Sequence, residues 1–264
     1  MNIIKRPGNH GMYNKARKIE YIVIHYTAGV TSKRGAAQAT ASWFANPRAG
    51  GTADFIVDDE EIVQYNPDLT KHACWAVGGG KYKTKGGRLY KKATNTNCVS
   101  IEICSTNSTG KVQAVNHQSW SFTAAAVNNA VELTKYLMKT YGIAADHVIR
   151  HYDVNGKPCP GIIGWNADSG SEKQWEAFKA RLTQAAPAAA PSPAPTAPAA
   201  GAAEYKYEVT VSDLNIRKGP GTNYPSAGHT GKGTFTIIAE SGGWGYLKSG
   251  AGWISLNTSY GHRA

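Results

Sequence analysis

A run of 19 residues, 185–203, contains nothing but Ala, Pro, Ser, Thr and Gly, and five of them are proline. Proline removes a backbone donor and breaks a continuous helix. No side chain in the run is large enough to build a core. Such a stretch favours extended polyproline II and acts as a semi-rigid spacer, spanning up to about 60 Å at ~3.1 Å per residue. A chain of 264 residues could otherwise fold around one core, since cores stop growing near ~250–300 residues. The spacer decides for two: a domain over residues 1–184, a linker over 185–203 and a small domain over 204–264.

The first domain mixes strands and helices. Residues 21–26, Tyr-Ile-Val-Ile-His-Tyr, form a short apolar run suited to a strand buried on both faces. Residues 53–57 and 99–103 read as further strands. Residues 35–45 look helical and stop before Asn46-Pro47. Thr123 can cap a long helix through Tyr141, with Val127, Val131, Leu137 and Met138 near one stripe and Gly142 as the stop. Ser171-Glu-Lys-Gln174 has capping-box form and opens a last helix that presents Trp175, Phe178 and Leu182. This alternation predicts an α/β fold, a central sheet covered by helices. The acidic run Asp58-Asp-Glu-Glu61 reads as a solvated turn. In the second domain no helical period exists. Short strands near 208–211, 235–239, 245–247 and 253–256 alternate with Gly/Pro turns, which predicts a small all-β barrel.

Hydrophobic residues make up 41% of the chain, enough for packed cores and against general disorder. No apolar run approaches the ~18 residues of a spanning helix, and the first ten residues contain no signal-peptide core. The expectation is synthesis in the cytoplasm without a leader. Net charge is +11, which suits a polyanionic partner such as nucleic acid, an anionic membrane or a bacterial wall. The sharpest basic run, Lys81 to Lys92, reads as a solvated Gly-bearing loop. No zinc-finger or Arg-rich helical pattern favours nucleic acid. Of the four cysteines, Cys98 and Cys104 share one strand and stand about 20 Å apart along it at ~3.3 Å per residue, beyond disulfide reach. Reduced, buried thiols are expected for Cys74, Cys98 and Cys104.

Cys159 differs in its company. The segment from Ile149 to Gly161 places His151, Asp153, Lys157 and Cys159 in one short loop after the long helix. His25 ends a buried strand, from which a side chain can emerge rigidly. Two histidines and a cysteine would give zinc three protein ligands and leave a fourth position open, the catalytic arrangement. The spacing has no compact CxxC or HExxH form, so it leaves the metal reading open.

His25-Tyr-Thr-Ala-Gly29, His151 and Lys157-Pro-Cys159-Pro-Gly161 together resemble the zinc N-acetylmuramoyl-L-alanine amidases of the peptidoglycan-recognition-protein type, a family to which many phage endolysins belong. The resemblance covers about residues 15–183. It implies a mixed central sheet flanked by helices, Zn2+ held by His25, His151 and Cys159 at the floor of a peptidoglycan groove, and Lys157 as a catalytic lysine. Some members carry a catalytic tyrosine at the start of the second strand, where this chain reads Thr52-Ala53-Asp54-Phe55. Other lytic members use a glutamate of the third strand, and Glu102 in Val99-Ser-Ile-Glu-Ile matches it. Asp54 is the neighbouring alternative base. Relatives often have Trp-His where this chain has Trp75-Ala76, and His72 is left as a groove residue. Asp153 is assigned to orienting the loop or a ligand imidazole.

Leu214-Asn-Ile-Arg-Lys-Gly-Pro-Gly221, with Gly243-Trp-Gly-Tyr246 and Gly252-Trp-Ile254, is similar to bacterial SH3-like cell-wall-binding domains. Tyr224, Trp244 and Tyr246 are its groove candidates, while Trp244 and Trp253 could equally be core. The combination implies a monomeric peptidoglycan hydrolase, endolysin-like, that binds peptidoglycan both as substrate and through its second domain, with no nucleic acid and no stable membrane association. Two rivals stand beside it. One is a cysteine peptidase with Cys159 or Cys104 as nucleophile and His151 as base. The other is a peptidoglycan-binding protein without activity.

Overall fold

The computed structural model describes residues 3–184, 204–221, 224 and 226–264, and the linker expectation for 185–203 lies outside them. The described residues fall into two compact units, one within residues 3–184 and one within residues 204–264.

The first unit is built on a six-stranded mixed sheet. Its strands are β1 (Ile3–Lys5), β2 (Tyr21–Tyr26), β3 (Phe55–Val57), β4 (Ile62–Gln64), β5 (Cys98–Ile103) and β6 (Val148–Arg150), in the order β1-β4-β3-β5-β2-β6. The neighbours β3, β5, β2 and β6 run parallel, whereas β4 is antiparallel to β3. The apolar reading of residues 21–26 is borne out: Ile22, Val23 and Ile24 are fully buried, as a central strand requires. Three-residue strands such as β1, β4 and β6 are too short to show a period of two, and they escape sequence reading.

Two helices cover one face. α2 (Ala124–Tyr141) begins where Thr123 Oγ1 accepts the Ala126 amide and stops at Gly142, whose φ of 66° is the left-handed conformation glycine tolerates. Its buried Ala130, Leu133 and Leu137 pack with Ile22, Ile24, Val99 and Ile101 of the sheet. α4 (Lys173–Thr183) adds Trp175, Phe178 and Leu182 to that core. The capping box expected at Ser171 does not form. Gln174 Oε1 instead accepts Trp165 Nε1 at 2.9 Å, and the Glu172 carboxylate pairs with Arg150. The opposite face is covered only in part, by α1 (Ala36–Phe44).

Two local readings are corrected. The segment from residue 149 is not a loop throughout: β6 leads directly into α3 (His151–Asn155). Val148 and Ile149 extend the sheet beside Ile22 and Val23, and the Asp153 carboxylate accepts the Arg150 amide at 2.9 Å to cap the short helix. The acidic run at 58–61 is not solvated as a whole, because Asp58 and Glu61 are buried. Asp58 accepts the amides of Ala37, Glu60 and Glu61, and Glu61 pairs with Arg34 and Gln38.

The second unit is all-β: a seven-stranded antiparallel sheet of Tyr205–Val209, Leu214–Arg217, Ser226–Thr230, Gly233–Ser241, Trp244–Leu247, Trp253–Ser255 and Gly261–Arg263. Tyr207, Val209, Leu214, Ile237, Leu247 and Ile254, drawn from five of these strands, meet in one cluster. A sheet that gathers them must curl around itself, as a small barrel does.

Candidate metal centre and substrate groove

The parallel strands β3, β5, β2 and β6 end at one edge of the sheet, the position where open α/β sheets present their ligands. Register sets the side chains there. His25 of β2 stands opposite Glu102 of β5, which in turn stands opposite Ile56 of β3. In-register partners point to the same face, so His25 and Glu102 project together from the partly covered side. Arg150 pairs with Ile24, and His151 follows it as the first residue of α3.

Cys159 returns to the same edge through a tight turn. Gly156 adopts φ 86° after α3, Lys157 donates its amide to Asn155 Oδ1 at 3.0 Å, and the Tyr152 amide donates to the Cys159 carbonyl at 3.0 Å. Prolines on both sides of Cys159 stiffen the turn further. The result is a cluster in which one donor atom from each of His25, His151 and Cys159 lies within 4.8 Å of the others, and all three residues are buried. Cys159 Sγ stands 3.7 Å from His25 Nδ1, and the two imidazole rings meet edge to face with centroids 4.9 Å apart.

The polar accounting at this cluster is incomplete without a cation. His25 Nε2, both ring nitrogens of His151 and Glu102 Oε2 are sealed from solvent with no hydrogen-bond partner. A buried polar atom left so costs on the order of 1–3 kcal/mol, and three such residues do not gather by accident. Burial, then His151 and Lys157, hold His25 well below the usual histidine range. Burial and Lys157 lower His151 to about 3. Both rings are therefore neutral at pH 7, the state a metal ligand needs. Two imidazoles and a thiol fit zinc by ligand type, with room for a fourth ligand.

Glu102 sits on an interior strand, not an edge. Burial raises its carboxyl to about 8, against the pull of Lys157. His25, Glu102, His151, Lys157 and Cys159, the five residues singled out in the sequence, all line one groove of about 850 Å³. Lys157 is exposed at its rim.

The other candidates land elsewhere. Asp54 is buried away from the groove, where Arg17, Asn66 and the Ser100 amide consume both its oxygens. His72 lies on a short ribbon paired with Asn14 and does not line the groove, whereas Trp75 does. Asp153 binds Arg150 through three nitrogens and touches neither imidazole, so it orients the turn and not a ligand ring. Burial opposes its ionisation, but these bonds hold its carboxyl below the usual range. Neither cysteine offers an activated thiol: burial pushes Cys159 up to about 12, and Cys104 is raised too, packed on the α1 side of the sheet. A nucleophilic cysteine needs the opposite shift. Tyr26 and Asn95 also line the groove and were missed. Tyr26 adjoins His25 and was open to notice, whereas nothing in the sequence around Asn95 signals a site.

Comparison with known proteins gives the first unit a family. A family model described as N-acetylmuramoyl-L-alanine amidase matches residues 15–162. Among curated proteins, the N-acetylmuramoyl-L-alanine amidase CwlA of Bacillus subtilis (strain 168) is 32% identical over 165 residues, covering 62% of this chain and 49% of its own length. A probable N-acetylmuramoyl-L-alanine amidase of Bacillus licheniformis is 28% identical over 191 residues, covering 69% of this chain and 45% of its own. The chain thus spans about half the length of these curated relatives. The solved catalytic domain of XlyA is 27% identical with a TM-score of 0.50, covering 69% of this chain and 99% of that one.

Proposed function

The chain belongs to the N-acetylmuramoyl-L-alanine amidase family, and from that premise we propose that it hydrolyses the amide joining the lactyl group of N-acetylmuramic acid to L-alanine of the peptidoglycan stem peptide. The observation that carries this reading is the convergence of His25, His151 and Cys159 within 4.8 Å at the floor of a groove that Glu102 also lines. An unactivated amide hydrolyses slowly, so its cleavage needs a general base, an oxyanion partner and a polarised carbonyl.

His25, His151 and Cys159 would hold Zn2+, which when bound supplies a Lewis acid that polarises the scissile carbonyl and acidifies water. Glu102 takes the proton of the attacking water on its carboxylate and passes it to the leaving nitrogen. Burial holds this carboxyl near 8, and a neighbouring dication would bring it down towards the range in which one group can both accept that proton and return it near neutral pH. Lys157, exposed at the rim beside the cluster, sets its ammonium against the developing oxyanion. The neutral rings of His25 and His151 leave Lys157 as the cation among these five residues, so its field falls on the reacting oxygen.

The second unit is the wall-binding module of this proposal. Trp244, Tyr246 and Trp253 stay half-buried outside its core, with Tyr246 and Trp253 facing each other at 5.2 Å. Aromatic faces of that kind bury area at little entropic cost. No helix among the described residues is long and apolar enough to cross a membrane. The reading is of an endolysin-type enzyme that acts at the bacterial cell wall. Mass spectrometry of digested peptidoglycan tests it. New L-alanine amino termini beside intact glycan strands are expected, and cleavage within glycan or peptide with no such termini refutes it.

A further inference from the structure

Two segments that line the groove carry no regular structure. One is Gly78-Gly79 and the other is Lys157-Pro158-Cys159. Neither belongs to a strand or helix among the described residues, so no sheet or helix hydrogen bonding sets the distance between them. Asn155, the last residue of α3, bonds to both. It is 1% exposed and does not itself line the groove.

Oδ1 of Asn155 accepts the Lys157 amide at 3.0 Å, and Nδ2 donates to the Gly78 carbonyl at 3.1 Å. An amide on one side and a carbonyl on the other admit one orientation of the carboxamide, since the reverse would set donor against donor and acceptor against acceptor. The backbone is fixed as well. The Asn155 carbonyl accepts the Tyr82 amide at 2.8 Å. Gly156 follows at φ 86°, and a Cβ there would stand 2.6 Å from Thr84 Oγ1, the hydroxyl that donates to the Gly156 carbonyl at 2.7 Å. Only glycine suits that position, and the chain enters Lys157 from a set direction. A side-chain oxygen that accepts the amide two residues on is an ordinary turn device of asparagine. The bond from Nδ2 is no part of such a turn, because it reaches a residue 77 positions earlier in the chain.

We infer that Asn155 is a positioning residue for the amide hydrolysis, a buried strut that holds the backbone of Lys157 at a fixed distance from Gly78. The inference rests on the amidase reading, in which the Lys157 ammonium stands against the oxyanion. Stabilisation of that kind depends on a charge already in place, since a group that must reorganise as charge develops loses much of its effect. The Lys157 side chain is exposed at the rim, so its backbone is the part that the fold can fix. Asn155 touches no reacting atom and acts through Lys157.

Asn155→Ser separates the strut from the turn, because a serine hydroxyl can still accept the Lys157 amide but is too short to reach Gly78 as well. The full zinc-loaded chain is assayed on a soluble N-acetylmuramoyl peptide. Its kcat should fall about tenfold in the variant, the size of one hydrogen bond, with KM within about twofold and zinc content unchanged. In a Lys157→Met background the same substitution should change kcat by less than about twofold, since the strut then holds nothing that acts. Hydrogen exchange read by mass spectrometry needs no substrate, and it should quicken over residues 76–80 in Asn155→Ser. Wild-type kcat in that variant, an equal loss in both backgrounds, unchanged exchange over residues 76–80, or loss of zinc would overturn the inference. The first would reduce Asn155 to a turn residue, and the last would make it a structural support of the metal turn. Wild-type digests without new L-alanine amino termini would instead overturn the amidase reading, and the exchange measurement would still decide whether Asn155 ties the two segments together.

Discussion

Replacing Glu102 by Gln keeps the size of the side chain and most of its hydrogen bonding but removes its capacity to carry a proton. If Glu102 is the proton shuttle, lytic turnover falls by roughly 10²- to 10⁴-fold, the usual range for a general base, while bound zinc stays unchanged. The structure adds a second, independent signature. Burial raises this carboxyl from 4.5 to about 8, and at 1.36 kcal/mol for each pH unit the ceiling is about 5 kcal/mol. Part of the residue faces the groove, and solvent there screens the effect, so about 2–3 kcal/mol is expected. The sign follows from linkage: a folded-state value above the unfolded one favours the protonated native state, so this contribution is complete below pH 4.5 and is lost as pH rises through 8. Urea unfolding of chelated wild type and chelated Glu102→Gln, compared between pH 5 and pH 9, should show the wild type losing about 2–3 kcal/mol relative to the variant. A constant difference across that range would refute the desolvation on which the base assignment depends. Loss of zinc in the variant would assign Glu102 to supporting the metal shell.

Three further outcomes are expected. His25→Ala, His151→Ala and Cys159→Ala should each abolish wall lysis and lower bound zinc from about one per chain, measured by atomic emission, because a three-ligand site does not keep its geometry with two; normal zinc in any of them removes that residue from the ligand set. Lys157→Met should lower turnover by about 10²- to 10³-fold with zinc content and wall binding intact, and a small effect on turnover would take the oxyanion role from it. Residues 1–184 alone should retain slow amidase activity, and residues 204–264 alone should sediment with purified walls without cutting them, since tethering raises local concentration without adding chemistry; unfolding of the isolated first unit would refute its independence.

What the sequence disclosed of this site, and what it hid, divides along physical lines. The candidate ligands were legible through the family resemblance carried by His25-Tyr-Thr-Ala-Gly29, His151 and Lys157-Pro-Cys159-Pro-Gly161, and not through their spacing. The long helix was legible because Thr123 and Gly142 mark its ends and eighteen residues lie between. Three-residue strands were not, since pairing with neighbours and not period makes them. Asp58 and Glu61 looked solvated by composition, yet tertiary partners bury them: an amide of α1 for Asp58, Arg34 and Gln38 for Glu61. Asn95 illustrates the limit most clearly. Its place in the groove comes with the amides of Ala76 and Val77, which fix its carboxamide, and neither contact is visible in a run such as Ala93-Thr-Asn-Thr96.

The charge state of the candidate ligand set makes one last outcome calculable. Without a cation, burial holds the Cys159 thiol protonated up to about 12 and the Glu102 carboxyl up to about 8, while both imidazoles are neutral. Only the thiolate binds zinc, so uptake near pH 7 must expel the proton of Cys159, and the arriving charge lowers Glu102 enough to release part of a second. Neutral histidines contribute none. Calorimetry of zinc binding in buffers of differing ionisation enthalpy should therefore count between about one and two protons released at pH 7. The apparent affinity should rise about tenfold per pH unit for each proton released. In Glu102→Gln the count should fall to about one, with the steepness falling in step. A binding enthalpy independent of buffer would mean that Cys159 enters already as a thiolate, or is no ligand at all, and Cys159→Ser, which keeps the size but binds zinc weakly, would separate those two cases.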